Sequence, residues 1–396
     1  MHEPFKILLL NQISAVGLKR LPAERYTTAK TLALPDAILV RSHDMHAMEI
    51  PASVLAIGRA GAGTNNIPVK ALSARGVPVF NAPGGNANAV KELVLAGMLL
   101  AARNLVPALD FTAGLRTAGD ALDREVEDGK KQFAGFELSG HTLGVIGLGR
   151  VGCLVADAAI KLGMQVVGYD PEITVDAAWS LPAQVRRAHS IDEVLKAAHF
   201  VTLHVPLVEA TRGLVGARNV DLLRHGAVLL NFSRDGIVAE EAVLAALAAG
   251  RLKAYVSDFP SAAARGRAGV VALPHLGAST REAEDNCAVM VAEALREYLE
   301  HGNVRNAVNF PEVSMARESP YRVGIANANV PNMLGQISTA MARAGLNIHN
   351  MLNKSRGEMA YTLVDVDSPV PAATIATLRA IAGVLAVRYL PLADAT

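Results

Sequence analysis

The stretch HTLGVIGLGRVGCLVADAAIKLGMQVVGYD, residues 141–170, decides the fold of this chain. Gly147, Gly149 and Gly152 stand there in the spacing G-x-G-x-x-G. The apolar residues Leu143, Val145 and Ile146 precede them, a helical pattern runs on to Gly163, and a second apolar run ends on Asp170. Strand, tight turn, helix, strand and acid, in that order, are what a dinucleotide site requires. Gly147 allows the turn, Gly149 lets a pyrophosphate come against the backbone, and Gly152 lets the helix pack on the strand. Arg150 and Val151 stand at the start of that helix. Its N-terminus presents free N–H groups and the positive end of a dipole to the phosphates. Asp170 can accept hydrogen bonds from both hydroxyls of the adenine ribose and would repel a 2′-phosphate. NAD is therefore the expected cofactor.

Outward from this stretch, the bulk of the chain sets limits. It has 396 residues, 51% of them hydrophobic, and a formal net charge of +1. That is enough apolar material for two or three domains. No long run of Lys or Arg marks a nucleic-acid surface, so no nucleic-acid partner is expected. Apolar runs are short and broken by Gly or charge, and no membrane span is expected. The opening MHEPFKILLLNQIS is too short and too polar at its flanks for a signal peptide, and KILLL reads as a first buried strand. Two cysteines, Cys153 and Cys287, rule out a disulfide framework. A cytoplasmic protein without a metal site is the expectation.

Strands are expected at 6–10, 37–41, 54–58 and 77–81, then a long helix over 86–103. The segment 118–139 is more charged. Beyond the glycines, strands are expected at 143–147, 165–169, 200–204, 227–232, 254–258 and 270–273, with helical patterns between them. Such alternation predicts a parallel, doubly wound sheet. A helix over 279–302 ends at Gly302. After an aperiodic linker the order becomes β-α-β-β-α-β over 320–396, the ferredoxin-like unit, and this segment reads as a separate module.

Three segments lie at expected carboxyl ends of strands, where ligands bind in an open α/β sheet. FVTLHVP brings His204, Val205 and Pro206; AVLLNFSRDG brings Asn231, Ser233 and Arg234; VVALPHLGAST brings His275, Gly277 and Ser279. Asp258, in AYVSDFP, joins them. Oxidising a hydroxy acid needs a base for the hydroxyl proton and a cation for the carboxylate. A histidine suits the first task near neutral pH, and the planar fork of an arginine suits the second. His275 and Arg234 are accordingly the candidate base and anion clamp, and Asp258 the candidate partner for the nicotinamide carboxamide.

The succession GLGRVG, NFSR, SDFP and PHLGAST resembles the NAD-dependent D-2-hydroxyacid dehydrogenases, and the likeness extends through RSHD, GRAGAGTNNIPV and FNAPGGNANAVKELV. It implies a Rossmann-type nucleotide domain, residues 86–277, inserted in a flavodoxin-like substrate domain, 1–85 with 278–308. It also implies that 320–396 is a ferredoxin-like ACT domain. By this resemblance His204, Val205, Pro206, Thr211, Asn231, Ser233, Asp258, His275 and Gly277 line the cofactor. Arg59, Ala60, Gly61 and Asn86 meet the substrate, Arg41 and Ser42 its phosphate, and Lys131 reaches it from a partner subunit. The implied substrate is a phosphorylated hydroxy acid, 3-phosphoglycerate, and the implied assembly a homodimer or homotetramer. Asn329 and Asn347 are the residues available for a serine effector. Two features depart from the family. A glutamate normally stands between the arginine and the histidine, yet no Glu occurs between Glu241 and Glu282. Either another carboxylate serves or His275 works unaided. In the last segment, Asn327, Asn329, Pro331 and Asn332 replace H-x-N-x-P-G. Two other readings stand beside the first: reduction of hydroxypyruvate or glyoxylate, and an NAD(H)-sensing protein without turnover.

Overall fold

A computed structural model describes residues 3–392. The outermost positions of the 1–85 and 320–396 segments lie outside the described residues. The chain divides into two compact units, Ala87–Thr280 and the sequence on either side of it.

Within Ala87–Thr280, seven strands form one parallel sheet. The flanking unit holds β1 Phe5–Leu10, β2 Tyr26–Ala29, β3 Ala37–Val40, β4 Ala56–Arg59 and β5 Val79–Phe80. The inserted unit holds β6 Thr142–Ile146, β7 Gln165–Tyr169, β8 Arg186–Arg187, β9 Phe200–Leu203, β10 Ala227–Asn231, β11 Leu252–Ser257 and β12 Val270–Ala272. Its order, β12-β11-β10-β9-β6-β7-β8, reverses direction between β6 and β9. That reversal is the switch point at which a doubly wound sheet opens a ligand crevice. The central strands β6, β9 and β10 are buried on both faces because helices cover both. Val145, Val166, Phe200, Val228 and Val256 pack toward helices Ala87–Ala102 and Arg150–Lys161. Ile146, Val201 and Leu229 pack toward helices Ile191–Ala197 and Glu240–Ala248.

In the flanking unit the parallel order is β2-β1-β3-β4-β5. Helix Arg281–His301 lies on one face, its Val291 and Leu295 sharing a core with Ile7, Leu39 and Ala56. Leu72 and Ile67 cover Ile38, Val40 and Ile57 on the other. Four further strands, β13 Tyr321–Ala328, β14 Ile348–Arg356, β15 Met359–Val366 and β16 Val384–Pro391, form an antiparallel sheet ordered β14-β15-β13-β16. Helices Met333–Arg343 and Ala372–Arg379 pack on one face of it.

Three expectations need correction. The last segment does not stand apart: Ala326, Tyr361 and Leu363 belong to the same core as Phe80, Tyr298 and Phe310. The Arg388 guanidinium lies 4.5 Å from the Tyr298 ring centroid. It donates to the carbonyls of Tyr298 and Leu299 at 2.8 and 2.9 Å. Secondly, Tyr26–Ala29 and the two-residue edge strand Arg186–Arg187 were missed by the sequence pattern. Thirdly, the segment after the long helix is itself helical, over Leu105–Gly114 and Asp120–Gly129. Among the described residues no single helix is long and apolar enough to cross a membrane.

Candidate active site

The glycine turn has the shape a dinucleotide needs. Gly147 has φ +93°, and a Cβ on it would run into the carbonyl of His204. A Cβ on Gly152 would run into the carbonyl of Gly147. At Gly149, by contrast, a Cβ would meet nothing within 4 Å. Two glycines are thus required by packing and the third opens on space at the N-terminus of helix Arg150–Lys161, where a phosphate fits. Asp170, one residue beyond β7, accepts from the Leu148 N–H at 2.8 Å and the Glu172 N–H at 2.9 Å. The acid is thereby tied to the glycine turn, with lone pairs left for a ribose.

His204 follows β9, and its imidazole bonds the Thr202 hydroxyl at 3.0 Å. Burial pushes its pKa down to about 3, so the ring is neutral at physiological pH. Val205 and Pro206 follow it. The Thr211 hydroxyl is taken up by its own turn: it donates to the Pro206 carbonyl at 2.5 Å and accepts from the Val208 N–H at 2.9 Å.

After β10 the chain makes a fixed turn. The Asn231 amide donates to the Arg234 carbonyl at 3.0 Å and accepts from the Ser233 N–H at 3.2 Å. The Ser233 hydroxyl donates across to the Leu203 carbonyl at the end of β9. Both side chains build the frame that presents Arg234. The Arg234 side chain is exposed and donates to the Ser233 carbonyl at 2.6 Å. Among the described residues no carboxylate oxygen lies within 4.0 Å of it.

Asp258 is 1% exposed, and its two oxygens accept from the N–H groups of Leu276 and Gly277 at 2.7 and 2.8 Å. Burial pushes its pKa up, against the pull of those two bonds. The carboxylate braces the 275–277 loop and, as at Asp170, keeps lone pairs for a further donor. The loop holds His275 in a left-handed conformation, φ +58°, uncommon for a residue with a Cβ. The His275 ring is exposed and stands edge-on to Phe259, centroids 5.1 Å apart. Among the described residues no carboxylate oxygen lies within 4.0 Å of its ring nitrogens. Glu92 is occupied by Asn88 at 2.8 Å and Lys91 at 3.6 Å.

The flanking unit carries its own set. Arg41 follows β3, and its guanidinium meets Glu284 Oε1 at 2.6 Å. The N–H groups of Ser42 and His43 donate to Asn11 Oδ1 at 3.1 and 2.6 Å. Arg59 ends β4, and its side chain passes over Gly61, where a Cβ would clash with the guanidinium. The N–H groups of Ala60 and Gly61 are already bonded, to the carbonyls of Val40 and Arg59, both at 2.8 Å. The backbone donors left for an anion are those of Ala62 and Gly63, which have no partner among the described residues. Asn86 immediately precedes helix Ala87–Ala102. Lys131 pairs with Asp128 of its own helical segment at 3.2 Å.

Asn329 and Asn347 are not neighbours. Asn329 bonds the Gly357–Glu358 turn at the start of β15, and Asn347 bonds Asp367 just past its end. About eight strand residues separate these ends, roughly 25 Å. Glu284 and Asn11 were not foreseen. The one available signal was position: Glu284 opens the helix directly after the histidine loop.

A family model described as D-isomer specific 2-hydroxyacid dehydrogenase, NAD binding domain, matches residues 97–277. The D-3-phosphoglycerate dehydrogenase of Escherichia coli strain K12 is 30% identical, with 98% of each chain covered. The chain belongs to the D-2-hydroxyacid dehydrogenase family. Another D-2-hydroxyacid dehydrogenase relative, the D-3-phosphoglycerate dehydrogenase of Methanocaldococcus jannaschii, is 35% identical over 78% of this chain. The match spans 57% of that longer protein. A solved structure of NAD+-bound 3-phosphoglycerate dehydrogenase from Entamoeba histolytica superposes with a TM-score of 0.60. It covers 77% of this chain and 99% of that one at 24% identity, a likeness of fold.

Proposed function

We propose that this chain oxidises D-3-phosphoglycerate to 3-phosphohydroxypyruvate with NAD, the first step of phosphorylated L-serine biosynthesis. The observation that carries the reading is the pair Arg234 and His275. Both sit just beyond strands of a dinucleotide-binding sheet, both are exposed, and neither has a carboxylate partner among the described residues. The glycine turn at 147–152 and Asp170 would hold NAD, which would supply the acceptor for the hydride on C2 of the hydroxy acid. His275 removes the hydroxyl proton with an unprotonated ring nitrogen as that hydride leaves. Arg234 holds the carboxylate through two N–H groups and stabilises the negative charge gathering on the C2 oxygen. Arg41 and Arg59 supply positive charge for the phosphate.

The parallel five-stranded sheet is then the flavodoxin-like substrate half, and β13–β16 with their helices an ACT-type module. With Asn329 and Asn347 at opposite ends of one sheet, a serine site using both needs two copies of the module. A second copy also suits helices Leu105–Gly114 and Asp120–Gly129. Neither has a buried residue, and Leu109 is 66% exposed. Buried free thiols at Cys153 and Cys287 suit a reducing compartment, the cytoplasm.

The test is NADH oxidation with 3-phosphohydroxypyruvate, hydroxypyruvate and glyoxylate side by side, then repeated with millimolar serine. We expect kcat/KM to be highest for the phosphorylated keto acid and serine to lower the rate. A preference for glyoxylate or hydroxypyruvate would replace the substrate assigned. No turnover of any would leave an NAD(H)-binding protein.

A further inference from the structure

Arg41 is not waiting for a ligand. Glu284, on the first turn of helix Arg281–His301, places Oε1 2.6 Å from its guanidinium. The two side chains remain 37% and 41% exposed, so a solute can reach both. Ion pairs of such exposure are held weakly. One turn along the helix, Cys287 is buried beneath them. Its thiol is pushed up chiefly by burial, is drawn down by Arg59 and then Arg41, and is raised slightly by Glu284. Two guanidinium groups and one carboxylate therefore gather at this place, a local balance of +1. The neighbouring N–H groups of Ser42 and His43 are already taken by Asn11, which leaves the arginines as the principal anion contacts of this turn.

We propose that Glu284 is an internal competitor for the phosphate of the substrate: its carboxylate occupies Arg41, and a phosphorylated ligand binds there only by displacing it. This deepens the proposed function and rests on Arg41 being the phosphate contact. Glu284 sets specificity by charge. A dianion must overcome the carboxylate, while an unphosphorylated keto acid does not engage Arg41 and is indifferent to it.

Glu284→Gln keeps an oxygen that can accept from Arg41 and removes the charge. Two like charges a few ångströms apart near a solvated surface cost enough to shift binding about tenfold. In the full chain with NADH, we expect the KM for 3-phosphohydroxypyruvate to fall about tenfold. The KM for hydroxypyruvate should move less than twofold. Glu284→Ala should give the same selective gain if Gln proves a poor replacement. A rise in KM for the phosphorylated substrate would mean that Glu284 positions Arg41, and no selective change would mean that the pair lies outside the site. Either overturns the proposal. Arg41→Ala separates this from the function itself. Equal loss with both substrates would remove Arg41 as the phosphate contact. Selective loss with the phosphorylated substrate, without the gain from Glu284→Gln, would remove only the competitor.

Discussion

His204, half-buried without a countercharge, gives the inserted unit a pH-dependent stability. Its folded pKa is about 3, against 6.5 for the free side chain. As pH falls through 6.5 the unfolded chain takes up a proton that the folded chain refuses. The stability due to this residue is therefore complete above that pH and is lost progressively on acidification. The slope is up to about 1.4 kcal/mol per pH unit, or roughly 2 kcal/mol between pH 6.5 and 5. Urea unfolding of the parent and of His204→Gln at pH 7.5 and 5 checks this, with the smaller loss expected in the variant. The raised pKa of Asp258 acts with the opposite sign, since the folded state there takes its proton first, and the comparison between variants cancels it. Equal losses would acquit His204. At this scale the sequence was readable where a residue comes at or just past the end of an apolar strand, as Arg41, His204, Arg234 and His275 do. The pairing of Arg41 with Glu284 was not, because the two stand 243 positions apart and leave no spacing to notice. Asn231 and Ser233 frame the turn that presents Arg234, and a sequence does not distinguish a side chain that frames a turn from one that touches a ligand.

Among the elements, the 275–277 loop shows how a buried acid can act through its neighbour. Asp258 holds two successive N–H groups, and those bonds fix His275 in its left-handed conformation. Asn in place of Asp keeps the size but turns an N–H₂ toward one of the donors. A buried donor left without a partner costs about 1–3 kcal/mol, and the loop should relax to a commoner backbone. We expect Asp258→Asn to lower the melting temperature and to cut kcat/KM by at least tenfold. A variant that melts lower yet turns over at the parental rate would uncouple His275 from the loop. The elements that the sequence missed share one property. Tyr26–Ala29 has only its first residue buried, and helices Leu105–Gly114 and Asp120–Gly129 have none. A pattern search detects the imprint of a core, and these elements put one residue, Tyr26, or none into one. The central strands of the two parallel sheets, such as Ala37–Val40, Phe200–Leu203 and Ala227–Asn231, were legible because they are apolar on both faces.

For the molecule as a whole, the last segment is fastened to the flanking unit by a residue that no pattern announces. Arg322 and Asp365 are both fully buried and form a two-point pair, Nε and Nη2 lying 2.6 and 2.8 Å from the carboxylate oxygens. The same guanidinium donates to the carbonyls of His301, Met315 and Ala316 at 3.2, 3.0 and 2.9 Å. All the donors of the fork are used. Removing one partner of such a pair costs about 3–5 kcal/mol, and we expect that loss in denaturant unfolding of Arg322→Ala. Replacing both partners with apolar residues, Arg322→Met with Asp365→Leu, is often neutral for an isolated buried pair. Here it should not be, because three carbonyls stay unpaired. Full recovery in the double variant would show that the carbonyl bonds carry no weight. A segment read alone gives its own strands and helices correctly and says nothing of what its outer face will meet, which is why this one looked detached. Helix Arg281–His301 ties the two ends of this unit together. It contains neither Gly nor Pro in 21 residues, about 31 Å of uninterrupted rise. Glu284 stands near its start, and Arg388 and Arg322 grip the carbonyls at its end. The carboxylate on Arg41 and the grip of the last segment thus share one continuous element, with no Gly or Pro between them to mark a hinge.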